Sequence, residues 1–249
     1  MSSSKNAIVV GASSGIGAAF ARTLASQGYR VALLARRIPE LEKVQRGIET
    51  GWGEGRARVY ENDVCDYEAP PALLAKIEED MGKVSLFCYA AGVMAEVGKD
   101  EYDFAKDKKV LDVNLTGAMA WLDEVATRFQ ARGEGTIVGI SSIAGDRGRR
   151  AFPSYHAAKA GLSTFLESLR NRLFQHGVQV TTIKPGFIDT PMTRGMDGLF
   201  WLKTADEAAQ MIWKAVRRGR STAYVPARWG LVSLVIRSIP SLLFKRLDI

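Results

Sequence analysis

The stretch Asn6-Ala-Ile-Val-Val-Gly-Ala-Ser-Ser-Gly-Ile-Gly-Ala-Ala-Phe20 decides how the rest of the chain reads. Ala7 to Val10 is short, apolar and partly β-branched, as a buried strand is. Gly11, Gly15 and Gly17 follow, and Ala18 to Ala25 reads as a helix. A tight strand-to-helix turn needs residues that tolerate unusual backbone angles. It leaves amide N–H groups without partners at the positive end of a helix dipole, which suits a phosphate or pyrophosphate. Bare glycines let such a ligand come close to the backbone. The spacing is G-x-x-x-G-x-G rather than the usual G-x-G-x-x-G, so the loop alone is also compatible with a turn that only packs.

Outward from this turn, apolar runs alternate with helical patterns. Arg30 to Ala35 is a second strand, followed by Arg36-Arg37, and Pro39 opens a helix carrying Leu41, Val44 and Ile48. Ala57 to Glu61 leads into Asn62-Asp63-Val64, and Pro70 to Met81 is helical. Val84 to Tyr89 ends in Ala90-Ala91-Gly92, and one long helical region from about Lys106 to Gln130 contains Val113-Asn114-Leu115. Thr136 to Ile140 ends in Ser141-Ser142, Ser154 to Gln175 is a helix, and Val178 to Ile183 runs to Pro185-Gly186. Thr204 and Glu207 form a capping box for a helix from Ala205 to Val216, and Thr222 to Val225 is the seventh strand. This alternation predicts an α/β fold, a doubly wound parallel sheet of about seven strands in three layers, as a single domain over residues 1–227. Ligands of such sheets sit at the carboxyl ends of the strands.

A chain of 249 residues is long enough for one large core. The formal net charge is +7, but the basic residues are dispersed, so no nucleic-acid partner is expected. Cys65 and Cys88 are far apart and lack metal-ligand spacing, so the reading is no metal and a reducing, cytoplasmic compartment. Met1 to Lys5 lacks the apolar core of a signal peptide, and no uncharged apolar run is long enough to span a bilayer.

Tyr155-His-Ala-Ala-Lys159 places Tyr155 and Lys159 on one helix face. An ammonium there favours the phenolate, which would bring the phenol toward neutrality and make it a usable acid and base. Such a pair is common by accident. Ser142 at the end of the fifth strand, together with the glycine loop, lifts it above accident.

The glycine loop, Ser142…Tyr155-x-x-x-Lys159, Val113-Asn114-Leu115 and Pro185-Gly186 stand in the order and spacing of the short-chain dehydrogenase/reductase family, which the chain resembles over roughly residues 6–226. The resemblance implies a Rossmann-like fold and hydride transfer between NAD(P) and a carbonyl or alcohol carbon. It implies Tyr155 as acid and base, Lys159 as its modulator and ribose ligand, Ser142 as polariser of the carbonyl, and Asn114 as holder of a relay water. Gly11, Ser13, Ser14, Gly15, Ile16 and Gly17 would meet the pyrophosphate, and Asp63 and Val64 the adenine. Ala90, Ala91 and Gly92 would line the adenosine side, and Pro185, Gly186, Ile188 and Thr190 the nicotinamide end. Two departures stand out. Val10 replaces a usual threonine, and Tyr89-Ala90 a usual Asn-Asn, so an apolar contact is expected where two hydrogen bonds normally brace the central strands. His156 and His176 are read as structural.

Charge indicates the dinucleotide. An NAD site places an acid at the end of the second strand, where this chain has Ala35 followed by Arg36, with Arg37 as a further candidate. The expected cofactor is therefore NADPH rather than NADH. A hydrophobic carbonyl or alcohol substrate is expected under a lid at about 187–203, in a pocket of Met94, Ser142, Phe152, Phe187, Met192, Phe200 and Trp201. The tail 228–249 is apolar with interspersed basic residues and is split by Pro240; it either packs on a second subunit of a homodimer or homotetramer or lies on a membrane. A second functional class, a non-catalytic dinucleotide-binding regulator, has the intact Ser142, Tyr155, Lys159 and Asn114 set against it.

Overall fold

Strand β1 (Asn6–Val10) sets the pattern of the sheet: Ile8 and Val10 enter one helical layer, while Ala7 and Val9 enter the other. A strand covered on both faces has no polar side to show, which is why its sequence is a continuous apolar run. The same division holds in β2 (Arg30–Ala35), with Ala32 and Leu34 against Val31 and Leu33, and in β4 (Val84–Tyr89), with Phe87 and Tyr89 against Leu86 and Cys88. The computed structural model describes residues 5–98 and 100–247; Met1 to Ser4 of the expected domain and Asp248 and Ile249 of the tail lie outside the described residues.

The remaining strands are β3 (Ala57–Glu61), β5 (Gly135–Ile140), β6 (Val178–Pro185), the short β7 (Ile188–Asp189) and β8 (Lys203–Thr204), and β9 (Thr222–Val225). Seven of them form one parallel sheet in the order β3-β2-β1-β4-β5-β6-β9. Helices α1 (Gly15–Ser26), α2 (Ile38–Trp52) and α7 (Ala205–Arg217) cover one face through Phe20, Leu24, Leu41, Ile48 and Ile212. Helices α3 (Ala69–Met81), α5 (Gly117–Arg132) and α6 (Pro153–Leu173) cover the other through Ile77, Trp121, Phe129, Leu162 and Leu166. Strand order reverses between β1 and β4, and the crevice beside that switch point is where such sheets bind ligands. The β7–β8 pair closes the base of the excursion 190–202, and the Thr204–Glu207 capping box opens α7.

The long helix expected over 106–130 is interrupted. Helix α4 (Phe104–Leu111) passes through a π-turn at Asp112–Thr116 before α5 begins. A π-turn frees a backbone carbonyl from the regular ladder. Here the buried Tyr89 hydroxyl donates to the Val113 carbonyl at 2.7 Å. The brace expected to be apolar is therefore half polar: Val10 packs in the core, while Tyr89 ties β4 to the π-turn by a hydrogen bond. Past β9 the chain forms α8 (Trp229–Ser238) and α9 (Ser241–Phe244), separated as expected at Pro240.

Removing the Tyr89 hydroxyl strands a buried carbonyl. Tyr89→Phe should lower the unfolding free energy by about 1–3 kcal/mol, read from urea midpoints at unchanged m-value; an unchanged midpoint would show that the bond carries nothing.

Candidate active site

A cleft of about 820 Å³ opens at the carboxyl ends of β1, β2, β4, β5 and β6. Gly11, Ser13, Ser14, Gly15, Ile16 and Gly17 form one wall. The loop is as tight as the sequence suggests: a Cβ on Gly11 would sit 2.5 Å from the Ala91 amide nitrogen, and one on Gly17 2.2 Å from the Gly11 carbonyl oxygen. Helix α1 has no side-chain cap and no acidic residue in its first turn, so its leading amides face the cleft without a competing anion.

Ala35, Arg36, Arg37 and Val64 line the adjoining side, and Ala90, Ala91 and Gly92 the base. Arg37 Nη2 donates to Ser13 Oγ at 3.0 Å and to Ser14 Oγ at 3.2 Å. Asp63 departs from expectation. It is not among the lining residues; its carboxylate accepts from the Cys65 amide at 3.0 Å and lies 3.9 Å from Arg36. Its neighbour Asn62 takes the place instead. Asn62 lines the cleft, is nearly fully buried, and has no hydrogen-bond partner on either side-chain polar atom. The Asn62 amide continues the sheet onto the Ala35 carbonyl at 3.1 Å, one residue beyond β3, so the strand's side-chain alternation turns Asn62 inward. A residue buried in a strand extension is visible in sequence only once the strand's end is known.

Ser142, Phe152, Tyr155, Lys159, Pro185 and Gly186 come together at the other end, with Ile188, Thr190, Met94 and Met192. Ser142 opens a short 3-10 turn, Ile143–Asp146, and its Oγ accepts from the Ala144 amide at 3.1 Å. One lone pair is thereby engaged, and the hydroxyl proton is directed toward Tyr155. Helix α6 is pinned against this turn: His156 Nδ1 lies 2.6 Å from the Ala144 carbonyl oxygen, and Ser141 Oγ donates to the Lys159 carbonyl at 2.9 Å. His156 is structural, as expected, and burial holds its imidazole below the usual value.

Lys159 is buried and donates through Nζ to the Ile140 carbonyl at 2.9 Å. Burial pushes its amine down to about 8. Nζ lies 5.7 Å from the centre of the Tyr155 ring. The Tyr155 phenol moves opposite to the sequence expectation: burial raises it, and a hydrogen bond with Ser142 pulls it back. Desolvation of the phenolate dominates, and the Ser142 hydrogen bond offsets only part of it. Asn114 lies beside this end of the cleft. Its amide is fully buried, accepting from the Val93 amide at 2.7 Å and donating to the Val93 carbonyl at 2.8 Å, so it clamps the wall of the cleft.

Three expected pocket residues lie elsewhere. Phe187, Phe200 and Trp201 do not line the cleft but stack with Trp229 of α8, at ring separations of 5.1 to 5.7 Å. Aromatic rings find more contact on one another than across an open cleft. Met196, Arg194 and Glu96, which the pocket expectation omitted, line it instead.

A family model for short chain dehydrogenases matches residues 5–197. The chain belongs to the short-chain dehydrogenase/reductase family. This dehydrogenase is 33% identical to an uncharacterized oxidoreductase of Myxococcus xanthus, over 96% of its own length and 94% of the relative's. It is 35% identical to an uncharacterized oxidoreductase of Streptomyces coelicolor, over 98% and 96%. Among solved structures it superposes on actinorhodin polyketide ketoreductase (a Phe-to-Trp variant with NADPH) at a TM-score of 0.80 and 26% identity, covering 89% of this chain and 95% of that one. Levodione reductase shares the fold at a TM-score of 0.80 and 22% identity, over 88% and 94%. The family binds a nicotinamide cofactor, and the unshared amides of α1 together with the unpartnered amide of Asn62 fit a dinucleotide along the cleft.

The low value of Lys159 has a measurable consequence. Between about 8 and its ordinary value of 10.5, the folded apo enzyme holds fewer protons at this amine than the unfolded chain does. Stability from this group therefore rises with pH across that window. Buried Cys88 works against it above pH 9, because burial raises its thiol. The difference between wild type and Lys159→Met isolates the lysine: the variant's advantage at pH 8 should shrink toward pH 10 in urea denaturation, and a constant difference would refute the shift.

Proposed function

We propose that this oxidoreductase transfers hydride between NADP(H) and a carbonyl or alcohol carbon of a hydrophobic small molecule, with Tyr155 as acid and base. The observation that carries the cofactor choice is Arg36-Arg37 at the end of β2, with Arg37 hydrogen-bonded onto the Ser13 and Ser14 hydroxyls of the glycine loop. Two guanidinium groups at that corner suit a ribose phosphate, which a planar fork of donors grips in two places. Ala35 supplies no carboxylate to repel it. Among the described residues Arg36 meets an acid at the exposed 3.9 Å contact with Asp63, a pairing weak enough to yield to a phosphate. The ketoreductase described with NADPH supports the same preference.

The bound dinucleotide supplies or accepts the hydride. The protein handles the proton. In the reducing direction the Tyr155 hydroxyl gives its proton to the substrate oxygen, and Ser142, its oxygen oriented by the Ala144 amide, donates a second hydrogen bond to the same oxygen. Lys159 stands behind the ring and, when protonated, stabilises the phenolate that remains. Asn114, by fixing Val93, keeps the opposite wall in place. Met94, Met192, Met196 and Phe152 give the substrate end an adaptable apolar lining.

Residues 1–227 form the catalytic domain in this reading, with 187–203 as its lid and 228–249 as an added segment. No described helix is long and apolar enough to cross a membrane. Free Cys65 and Cys88 fit a reducing cytoplasm, and the family supports assembly into a homo-oligomer.

Tyr155→Phe should lower kcat for lipophilic ketones by about 10²–10⁴-fold while NADPH still binds by fluorescence titration; retained turnover excludes Tyr155 as the acid. Wild type should show a KM for NADPH about tenfold or more below that for NADH, and Arg36→Asp should narrow or reverse the ratio. Equal KM values in the wild type would refute the phosphate reading.

A further inference from the structure

Helix α8 turns an apolar face to solvent. Trp229 and Ser233 point inward at 2% exposure each, while Leu231, Leu234 and Val235 stand in solvent at 70%, 63% and 62%. These three share one face at the i, i+3, i+4 spacing. Leu242, Leu243 and Leu247 extend the exposed apolar surface along α9, and Phe200, Trp201 and Leu202 extend it from the lid. Phe200 and Trp201 contact the Trp229 ring at 5.1 and 5.7 Å, which joins the lid to the N-terminus of α8. Apolar patches of this extent on a soluble surface mark a site of contact.

The surface is held rigidly. Ser233 Oγ donates to Asp146 Oδ2 at 2.6 Å, and Tyr224 Oη donates to the same oxygen at 3.0 Å. Lys184 pairs with the other oxygen of this nearly buried carboxylate. Arg147 donates to the Ile236 and Ile239 carbonyls at 2.5 and 2.6 Å and stacks on Phe244 at 3.7 Å, which fixes the break at Pro240. Trp229 packs so closely on the chain after β6 that a Cβ at Gly186 would lie 2.0 Å from its Nε1. The leucines are therefore displayed by a fixed platform rather than by a loose tail.

Charge identifies what covers it. Arg228, Arg237, Lys245 and Arg246 are all exposed; the tail 228–249 holds one acidic residue, Asp248, and the tip of the lid adds the exposed Asp197, so these cations outnumber the acids four to two. We infer that α8, α9 and the tip of the lid form a platform that rests on an anionic lipid bilayer, with the leucines and Trp201 at acyl depth and the four cations among the headgroups. Interfacial helices combine apolar and cationic groups in this way. A second copy of this chain would bring the same excess of cations to the face rather than a complementary charge.

The test is flotation of the full-length enzyme with vesicles of phosphatidylcholine alone and of equal parts phosphatidylcholine and phosphatidylglycerol. Binding is expected to the mixed vesicles at low salt, to weaken at high salt, and to be absent with phosphatidylcholine alone. Leu234→Glu/Val235→Glu and, separately, Lys245→Glu/Arg246→Glu should each cut the bound fraction roughly tenfold or more. Both should keep the circular dichroism spectrum and elution volume of wild type; Leu231→Gln is a milder variant should either pair fail to fold. Wild type that stays with the unbound fraction overturns the inference, as does equal binding to both vesicle types. So does a Leu234→Glu/Val235→Glu protein that elutes as a smaller assembly, which would make this face a contact between copies.

Discussion

Lys159 meets the end of β5 through both its backbone and its side chain. Its carbonyl accepts from the hydroxyls of Ser141 and Ser163, each at 2.9 Å, and its ammonium donates to the Ile140 carbonyl at 2.9 Å. A Cβ at Gly145 would lie 2.6 Å from that same carbonyl, so the turn after Ser142 lies directly on the helix backbone. Tyr155 rides on the preceding turn of α6, and Ser142 opens the turn beneath it. Their approach follows from this docking. The cost is desolvation of a lysine, which shows as an amine brought down to about 8.

The two ends of the cleft are built on different principles. At the glycine loop and Arg37, backbone amides and guanidinium donors face outward, an arrangement for holding anions. At Tyr155 and Lys159 the surroundings are dry enough to raise a phenol and lower an amine. The lowered amine is brought nearer to exchanging its proton, whereas the raised phenol holds its proton and stands as a donor. Outside the dry end, Trp229 of α8 collects Phe187, Phe200 and Trp201 into one cluster.

Asp146 connects these parts. It ends the turn that Ser142 begins, and it gathers Lys184 of β6, Tyr224 of β9 and Ser233 of α8. A buried carboxylate with three partners resists displacement, because loss of Lys184 leaves its charge unpaired and loss of either hydroxyl leaves an oxygen one donor short in a poor solvent. The segment after β9 is thus part of the wall behind the site.

The sequence by itself determined the sheet and most of the residues that line the cleft. Apolar runs of strand length separated by helical periods allow little besides a parallel sheet, and the chemistry-bearing residues sit at the strand ends where such sheets bind. Ser142, Tyr155, Lys159 and the glycine loop were legible because local spacing fixes their relation: one helical turn, or one strand-to-helix turn. Only the tertiary structure decided what depends on distant neighbours. The π-turn in the middle of a helical pattern, Asn62 in place of Asp63 at the cleft, the aromatic residues of the lid turning toward Trp229, and the sign of the Tyr155 shift all rest on burial and on partners far away in the chain. Periodicity in a sequence records which face of an element is apolar. It does not record how dry that face becomes once a second element closes over it.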